Sequence, residues 1–254
     1  MTVPEITVAA AIGLVAGVLS GLFGVGGGIV MTPGVHVLLG VPPIVALATP
    51  LPVILPTALS GALAYRRRGE LDGRVAGWLI VAGVPAAALG AWVTDLVDTE
   101  VLLLVTALLL ASQAVSILRD AGRPAREPKA GQAPILVGIG AGAGFLSGLL
   151  GIGGGIVIVP VLAGWLGMPL RRALGTSLLA IVALVVPGIV VHAALGHLDV
   201  PIALALALGA VPGARLGAAA ALGAEEHTLR LLVGAGLLAV SIGYAADQAL
   251  TMLG

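Results

Sequence analysis

The amino-acid sequence predicts an all-α polytopic membrane protein made of two inverted repeats, each a glycine-broken helical hairpin followed by three transmembrane helices. Three observations carry that expectation. First, 59% of the 254 residues are hydrophobic and 9% are charged, giving a mean hydropathy of +1.17. Soluble domains are about 45–50% apolar and about 25% charged, so this chain lacks the polar surface to face water and its solvent is lipid. Second, the chain repeats itself: Ala16–Val30 matches Ala143–Val157 at 12 of 15 positions, at an offset of 127 residues. The mismatches Val18/Phe145, Phe23/Leu150 and Val25/Ile152 all exchange apolar for apolar. Third, the placement of Lys and Arg fits only one of the two simplest membrane topologies.

The repeat continues well beyond the glycines. At the same offset Pro33 meets Pro160, Gly40-x-Pro42 meets Gly167-x-Pro169, Thr49 meets Thr176, and Gly69-x-Leu71-Asp72 meets Gly196-x-Leu198-Asp199. Val84-Pro85 meets Val211-Pro212, and Leu89-Gly90-Ala91 meets Leu216-Gly217-Ala218. Such self-similarity marks a duplicated unit. It divides the chain into a first transmembrane repeat (1–119), a basic cytoplasmic linker (120–133) and a second transmembrane repeat (134–254).

In chain order, Met1–Gly13 carries Glu5 and no Lys or Arg. It lacks the basic start of a cleaved signal peptide, and Ile6 onward reads as membrane domain. The glycine-bearing elements, 6–40 and 134–167, are too long for one span of about 30 Å and short for two. A hairpin of partial helices turning at the glycines fits. Ordinary spans of about 20 residues are expected over 44–65, 75–94 and 101–118, and again over 173–195, 200–222 and 228–249.

Charge decides how the hairpins insert. If each glycine element crossed once, Arg66, Arg67, Arg68, Arg74, Arg119, Arg123, Arg126 and Lys129 would be cytoplasmic, while Arg171, Arg172 and Arg230 would be outside. If each enters and leaves by one face, all eleven fall inside, and the acidic loop Thr94–Glu100 falls outside. The positive-inside rule favours the second arrangement. It places both termini outside and gives the halves opposite orientations.

Such hairpins bring their glycine tips together near the midplane. Irregular backbone survives at that depth only where protein buries it or a polar cavity satisfies it. Duplicated breaks in apolar helices point to a transporter's substrate site. Half-helices beginning near Gly28-Ile29 and Gly155-Ile156 aim amide N–H groups and positive dipole ends at the break, which suits an anion. The candidate residues are Gly24, Gly26, Gly27, Gly28 and Ile29, with Gly151, Gly153, Gly154, Gly155 and Ile156. The competing reading of the same glycines is close helix packing. A dinucleotide fingerprint is excluded because Ile29 stands at its third glycine, and a phosphate-binding P-loop because Ile29 and Ile156 occupy the lysine position.

Among polar groups within spans, Thr49, Thr176 and Ser177 offer hydroxyls to a substrate oxygen or to the preceding helical turn. Ser20 and Ser147 are matched four residues ahead of the glycine runs. Gln113 reads as a helix–helix hydrogen bond. Arg215 is the costliest residue, about 2.5–3.5 kcal/mol at a helix centre on insertion scales. It either attracts an anion or snorkels to the inner face toward Glu225 or Glu226. His192 reads as an interfacial histidine near an outer helix end, and His36 has only Ala163 as its counterpart. Asp72 and Asp199 read as turn and helix-cap residues. No catalytic dyad, triad or metal cluster is apparent, no cofactor is expected, and cysteine is absent. No basic, aromatic-laced surface for nucleic acid exists.

The runs Gly21-Leu-Phe-Gly-Val-Gly-Gly-Gly-Ile-Val30 with Pro33, and Gly148-Leu-Leu-Gly-Ile-Gly-Gly-Gly-Ile-Val157 with Pro160, resemble the TauE/SafE sulfite exporter family. Gly175-Thr-Ser177 is similar as well, whereas the first repeat departs from it with Ala48-Thr-Pro50. The resemblance implies a multi-pass permease of the bacterial inner membrane for small sulfur-containing anions such as sulfite or organosulfonates. Export is the direction an inside-negative potential drives. An anion channel, or a permease importing a different small anion, stays open as an alternative; an enzyme is not expected. The expected partners are a small inorganic or organosulfur anion and the lipid bilayer, with a homodimer left open.

Overall fold

A computed structural model describes residues 2–97, 108, 111, 112, 115 and 133–253. The described residues are helical, without strands. The helices are α1 (Val3–Phe23), α2 (Gly28–Leu39), α3 (Pro43–Ala48), α4 (Pro50–Arg67), α5 (Gly73–Val93), α6 (Ala133–Leu150), α7 (Gly155–Pro160), α8 (Leu170–Ala194), α9 (Val200–Gly223) and α10 (Glu226–Leu253). A short π-helical turn, Val161–Trp165, extends α7. Among the described residues seven helical segments are long and apolar enough to cross a membrane, including the α3–α4 run Pro43–Arg67 and α8, each of 25 residues. Most of the expected span 101–118, Gln113 and the linker arginines lie outside the described residues.

Local chemistry sets the boundaries. Asp72 and Asp199 cap α5 and α9 as their sequence context predicts. Asp72 Oδ1 accepts from the amides of Arg74 and Val75, both at 3.0 Å, and Asp199 Oδ1 accepts from Ile202 N at 3.0 Å. α1 and α2 end on Gly24 and Gly40, both left-handed (φ 68° and 64°), the usual glycine stop of a helix.

The hairpin arms are unequal, which differs from the expected pair of partial helices. α1 has 21 residues and α6 has 18, enough to span by length, and both count among the seven segments. Only the second arms are short: Gly28–Leu39 and Gly155–Trp165. The reason is that each first arm is needed over its whole length as a packing rail. Gly13, Gly17 and Gly21 of α1 lie against the backbone of Leu206, Ala210 and Ala214 in α9, with no room for a methyl group. Gly140, Gly144 and Gly148 of α6 lie in the same way on Leu79, Gly83 and Ala87 of α5. Each contact has its counterpart 127 residues away in the other repeat. Both pairs run parallel, and small residues let the backbones approach as membrane helix interfaces require.

The central pair, α3–α4 and α8, runs antiparallel. Gly188 faces Leu51, Gly61 faces Leu178, and Gly175 meets Tyr65. These segments are equivalent under the repeat, since Pro43–Arg67 shifted by 127 gives residues 170–194. Their antiparallel packing gathers the basic residues at one end: Arg66–Arg68 at the end of α4, Arg74 at the start of α5, and Arg171 and Arg172 at the start of α8. Arg171 there caps the end of α9, donating to the carbonyls of Ala221 (3.3 Å) and Ala224. Arg230 pairs with Glu226 at 2.8 Å where α10 begins. α1 and α3 both start at the opposite end, and α6 and α8 both start at the basic end. Each glycine element therefore leaves by the end at which it enters.

Candidate functional site

The two glycine breaks cross each other. A methyl placed on Gly28 would stand 2.9 Å from Gly151 O and 3.1 Å from Ile152 Cα, and one on Gly155 would stand 2.6 Å from both Gly24 O and Val25 Cα. Gly26 and Gly153 form the centre, each flanked by both Ile54 and Ile181. Those isoleucines lie one residue from the middle of their 25-residue helical runs, so the crossing sits at mid-depth of the helical layer. Every residue of Gly24–Ile29 and Gly151–Ile156 is buried.

Glycine is required there by conformation. Gly26 and Gly27 have φ of 89° and 84°, and Gly153 and Gly154 have φ of 86° and 74°, a region costing other residues roughly 1–2 kcal/mol. Gly27 is the N-cap of α2, and its carbonyl accepts from Val30 N and Met31 N at 3.1 and 3.2 Å. Gly154 O accepts likewise from Val157 N and Ile158 N at 3.1 and 3.3 Å. The amides of Gly28, Ile29, Gly155 and Ile156 come ahead of these first intrahelical bonds, at the positive ends of their helices.

Two side chains aim at the same places. Ser20 packs 3.3 Å from a methyl built on Gly27, and Ser147 lies 3.2 Å from one on Gly154. Both hydroxyls are fully buried, and neither has a hydrogen-bond partner among the described residues; nor has the Thr32 hydroxyl one turn into α2. Buried polar groups are nearly always satisfied, so a symmetric pair of orphans beside the breaks marks unmet hydrogen-bonding capacity.

The other candidates separate into two groups. Thr49 and Thr176 are fully buried and link the repeats: Thr49 Oγ1 accepts from Asp199 N at 3.1 Å, and Thr176 Oγ1 from Asp72 N at 2.9 Å. Ser177 Oγ donates to Gly24 O at 2.8 Å, joining α8 to the first break. Arg215 stands apart from the breaks, on the outer side of α9. It turns to α4, where its Nε donates to Ser60 Oγ at 3.1 Å, rather than to Glu225 or Glu226. Tyr65, not singled out by its sequence context, donates its hydroxyl to Gly21 O at 2.9 Å and ties α4 to the rail that leads into the break. His192 lies at the end away from the arginines, 3.2 Å from His197 between Nδ1 atoms. Among the described residues no group of His, Asp or Glu could hold a metal ion.

The model of the sulfite exporter TauE/SafE family matches residues 9–244. The chain belongs to the TauE/SafE family. Within that family it is 33% identical over 235 residues to a Bacillus subtilis protein named "Probable membrane transporter protein YunE", covering 82% of this chain and 85% of the relative. It is 31% identical over 252 residues to a "Probable membrane transporter protein" of Xylella fastidiosa, covering 95% of both. No solved structure matches. This TauE/SafE member is thus a multi-pass membrane transporter rather than an enzyme, and the doubled glycine break is the most conspicuous element its repeats share.

Proposed function

We propose that this transporter moves sulfite or a small organosulfonate out of the cytoplasm, holding the anion on backbone amides where the two glycine breaks cross. The observation that carries the proposal is the crossing itself. Two helix N-termini meet at mid-depth, beside two buried serine hydroxyls that have no partner among the described residues. Gly24, Gly26, Gly27, Gly28 and Ile29, with Gly151, Gly153, Gly154, Gly155 and Ile156, form the cradle. Thr49, Thr176 and Ser177 brace it by fastening one repeat to the other, and Arg215 adds a positive field to the approach. The repeats are inverted, with the arginine-rich end cytoplasmic; the antiparallel packing of equivalent helices and the positive-inside rule both support that orientation.

The breaks are packed, so an anion enters only as they part. That favours a carrier over an open channel, since parting on one side at a time is what inverted repeats provide. An inside-negative potential drives a monovalent anion outward by about 2.3 kcal/mol per 100 mV, so export proceeds without a coupled ion. Flux in liposomes with sulfite, sulfate, thiosulfate and sulfoacetate tests the proposal. Saturable, exchanging flux of sulfite or sulfoacetate, abolished by Gly27→Val or Gly154→Val with membrane insertion intact, is expected. Flux of none of the four, or undiminished flux in both variants, would overturn it.

A further inference from the structure

We propose a second anion-binding site, between α4 and α9 at the basic end, that takes one small oxyanion or sulfonate on the guanidinium groups of Arg67 and Arg215. A cavity of about 240 Å³ lies there, lined by Ser60, Leu63, Ala64, Arg67 and Arg215. It has room for a tetrahedral anion together with several waters, each of which occupies about 30 Å³.

Arg215 is held in place, and no carboxylate of the cavity compensates either arginine. Arg215 lies eight residues before the end of α9, about 12 Å from that end at the helical rise. An ionisable group within a membrane helix is normally kept for a partner or a function. Arg215 Nε is fixed by Ser60 Oγ at 3.1 Å, and Ser60 Oγ in turn donates to Val211 O at 3.3 Å. This relay orients the guanidinium and leaves its two terminal nitrogens uncommitted among the described residues. Arg67 has no hydrogen bond or ion pair among the described residues, and no carboxylate lines the cavity. Of the other arginines at that end, Arg171 is committed to the α9 carbonyls and Arg230 to Glu226, while Arg66, Arg68 and Arg74 are not among the residues that line this cavity.

The remaining walls are the exposed Leu63 and the half-buried Ala64, so the cavity opens at the surface between the two helices. Two guanidinium forks match the oxygen edges of a sulfite, sulfate or sulfonate group, or of a phosphodiester. Through α4 the cavity neighbours the tyrosine that ties this helix to α1. Ala64 precedes Tyr65, whose hydroxyl holds Gly21 O three residues ahead of Gly24. The site is defined by binding, so it stands whether or not the glycine breaks carry the transported anion.

The anion comes either from solution or from a lipid headgroup, and one experiment separates the sources. The full-length protein is placed in nanodiscs of phosphatidylcholine alone or with phosphatidylglycerol. Its thermal midpoint is followed while sulfite is titrated, for the wild type, Arg67→Gln, Arg215→Gln and the same-end control Arg74→Gln. For a solution anion, Arg67→Gln and Arg215→Gln each raise the half-saturating sulfite concentration about tenfold or more, and Arg74→Gln does not. For a headgroup, phosphatidylglycerol raises the midpoint of the wild type and of Arg74→Gln but of neither cavity variant. Arg67 is at a helix end, so its variant remains informative if Arg215→Gln fails to fold. The site is overturned if the cavity variants respond to sulfite and to phosphatidylglycerol as the wild type does, or if Arg74→Gln shifts as they do. Gly27→Val, carried in parallel, separates the two readings. Sulfite flux that survives it overturns the break site alone, and normal cavity binding in it leaves the second site standing.

Discussion

Gly155→Ala is the sharpest probe of the crossing, because this residue has ordinary helical φ and its replacement tests space rather than conformation. The added methyl would meet Gly24 O and Val25 Cα at 2.6 Å and Ile181 Cδ1 at 2.7 Å. Ordinary carbon contacts lie at about 3.5–4.0 Å, so the two breaks would have to separate by most of an ångström. Two of the three obstacles are backbone and cannot rotate away. Overpacking of this kind costs about 1–3 kcal/mol, which at about 2–4 °C per kcal/mol for a chain of this size lowers the thermal midpoint by roughly 2–12 °C. Gly142→Ala is the control: a methyl there meets nothing within 4 Å, and in a helix it should be neutral or up to about 1 kcal/mol stabilising. Thermal unfolding of purified protein, with sulfite flux in liposomes measured on the same preparations, reads both effects. Equal midpoints and equal flux for the two variants would refute the claim that the breaks bear on each other.

Three further outcomes are expected. Ser20→Ala and Ser147→Ala remove unpartnered buried hydroxyls, so stability should hold or rise, by up to about 1–3 kcal/mol, while the KM for sulfite rises; unchanged flux kinetics would return both serines to the packing. Thr49→Val and Thr176→Val each orphan a backbone amide, of Asp199 and Asp72 respectively, and should destabilise by a similar amount of about 1–3 kcal/mol, seen as matched falls in thermal midpoint. The chain has no cysteine, so Glu70→Cys and Arg172→Cys can be labelled singly in intact cells; both should be protected from an impermeant reagent and react once the membrane is opened. Labelling of the two from opposite sides would exclude the inverted arrangement.

The membrane class and the break positions could be read from the sequence because they rest on short-range signals. A lack of charge demands lipid, and repeated glycine demands positive φ, which Gly26, Gly27, Gly153 and Gly154 adopt. The caps at Asp72 and Asp199 were legible for the same reason. The unequal arms were not, because the length of α1 is set by its seam with Leu206–Ala214, nearly two hundred residues away. Nor was the use of Thr49 and Thr176 to hold the caps of the opposite repeat. Their matched positions showed that they were paired in role, but only three-dimensional proximity reveals the amides they accept from. Tyr65 and Ser60 carried no signal at all, since their partners Gly21 and Arg215 are joined to them by packing alone.

The rails have a consequence for how the protein is made. α1 leaves the ribosome long before its partner: the α9 surface that fits Gly13, Gly17 and Gly21 is synthesised about 190 residues later. At about 5–20 residues per second, α1 waits roughly 10–40 s in the bilayer with its glycine stripe open to lipid or to other proteins. α6 waits for nothing, because α5 precedes it. The nascent chain therefore passes through a half-built state in which its second glycine seam can close while its first cannot. A substitution on the α9 face, such as Ala210→Leu, would lengthen the exposure of a helix inserted long before it, making assembly sensitive to translation speed and to membrane quality control.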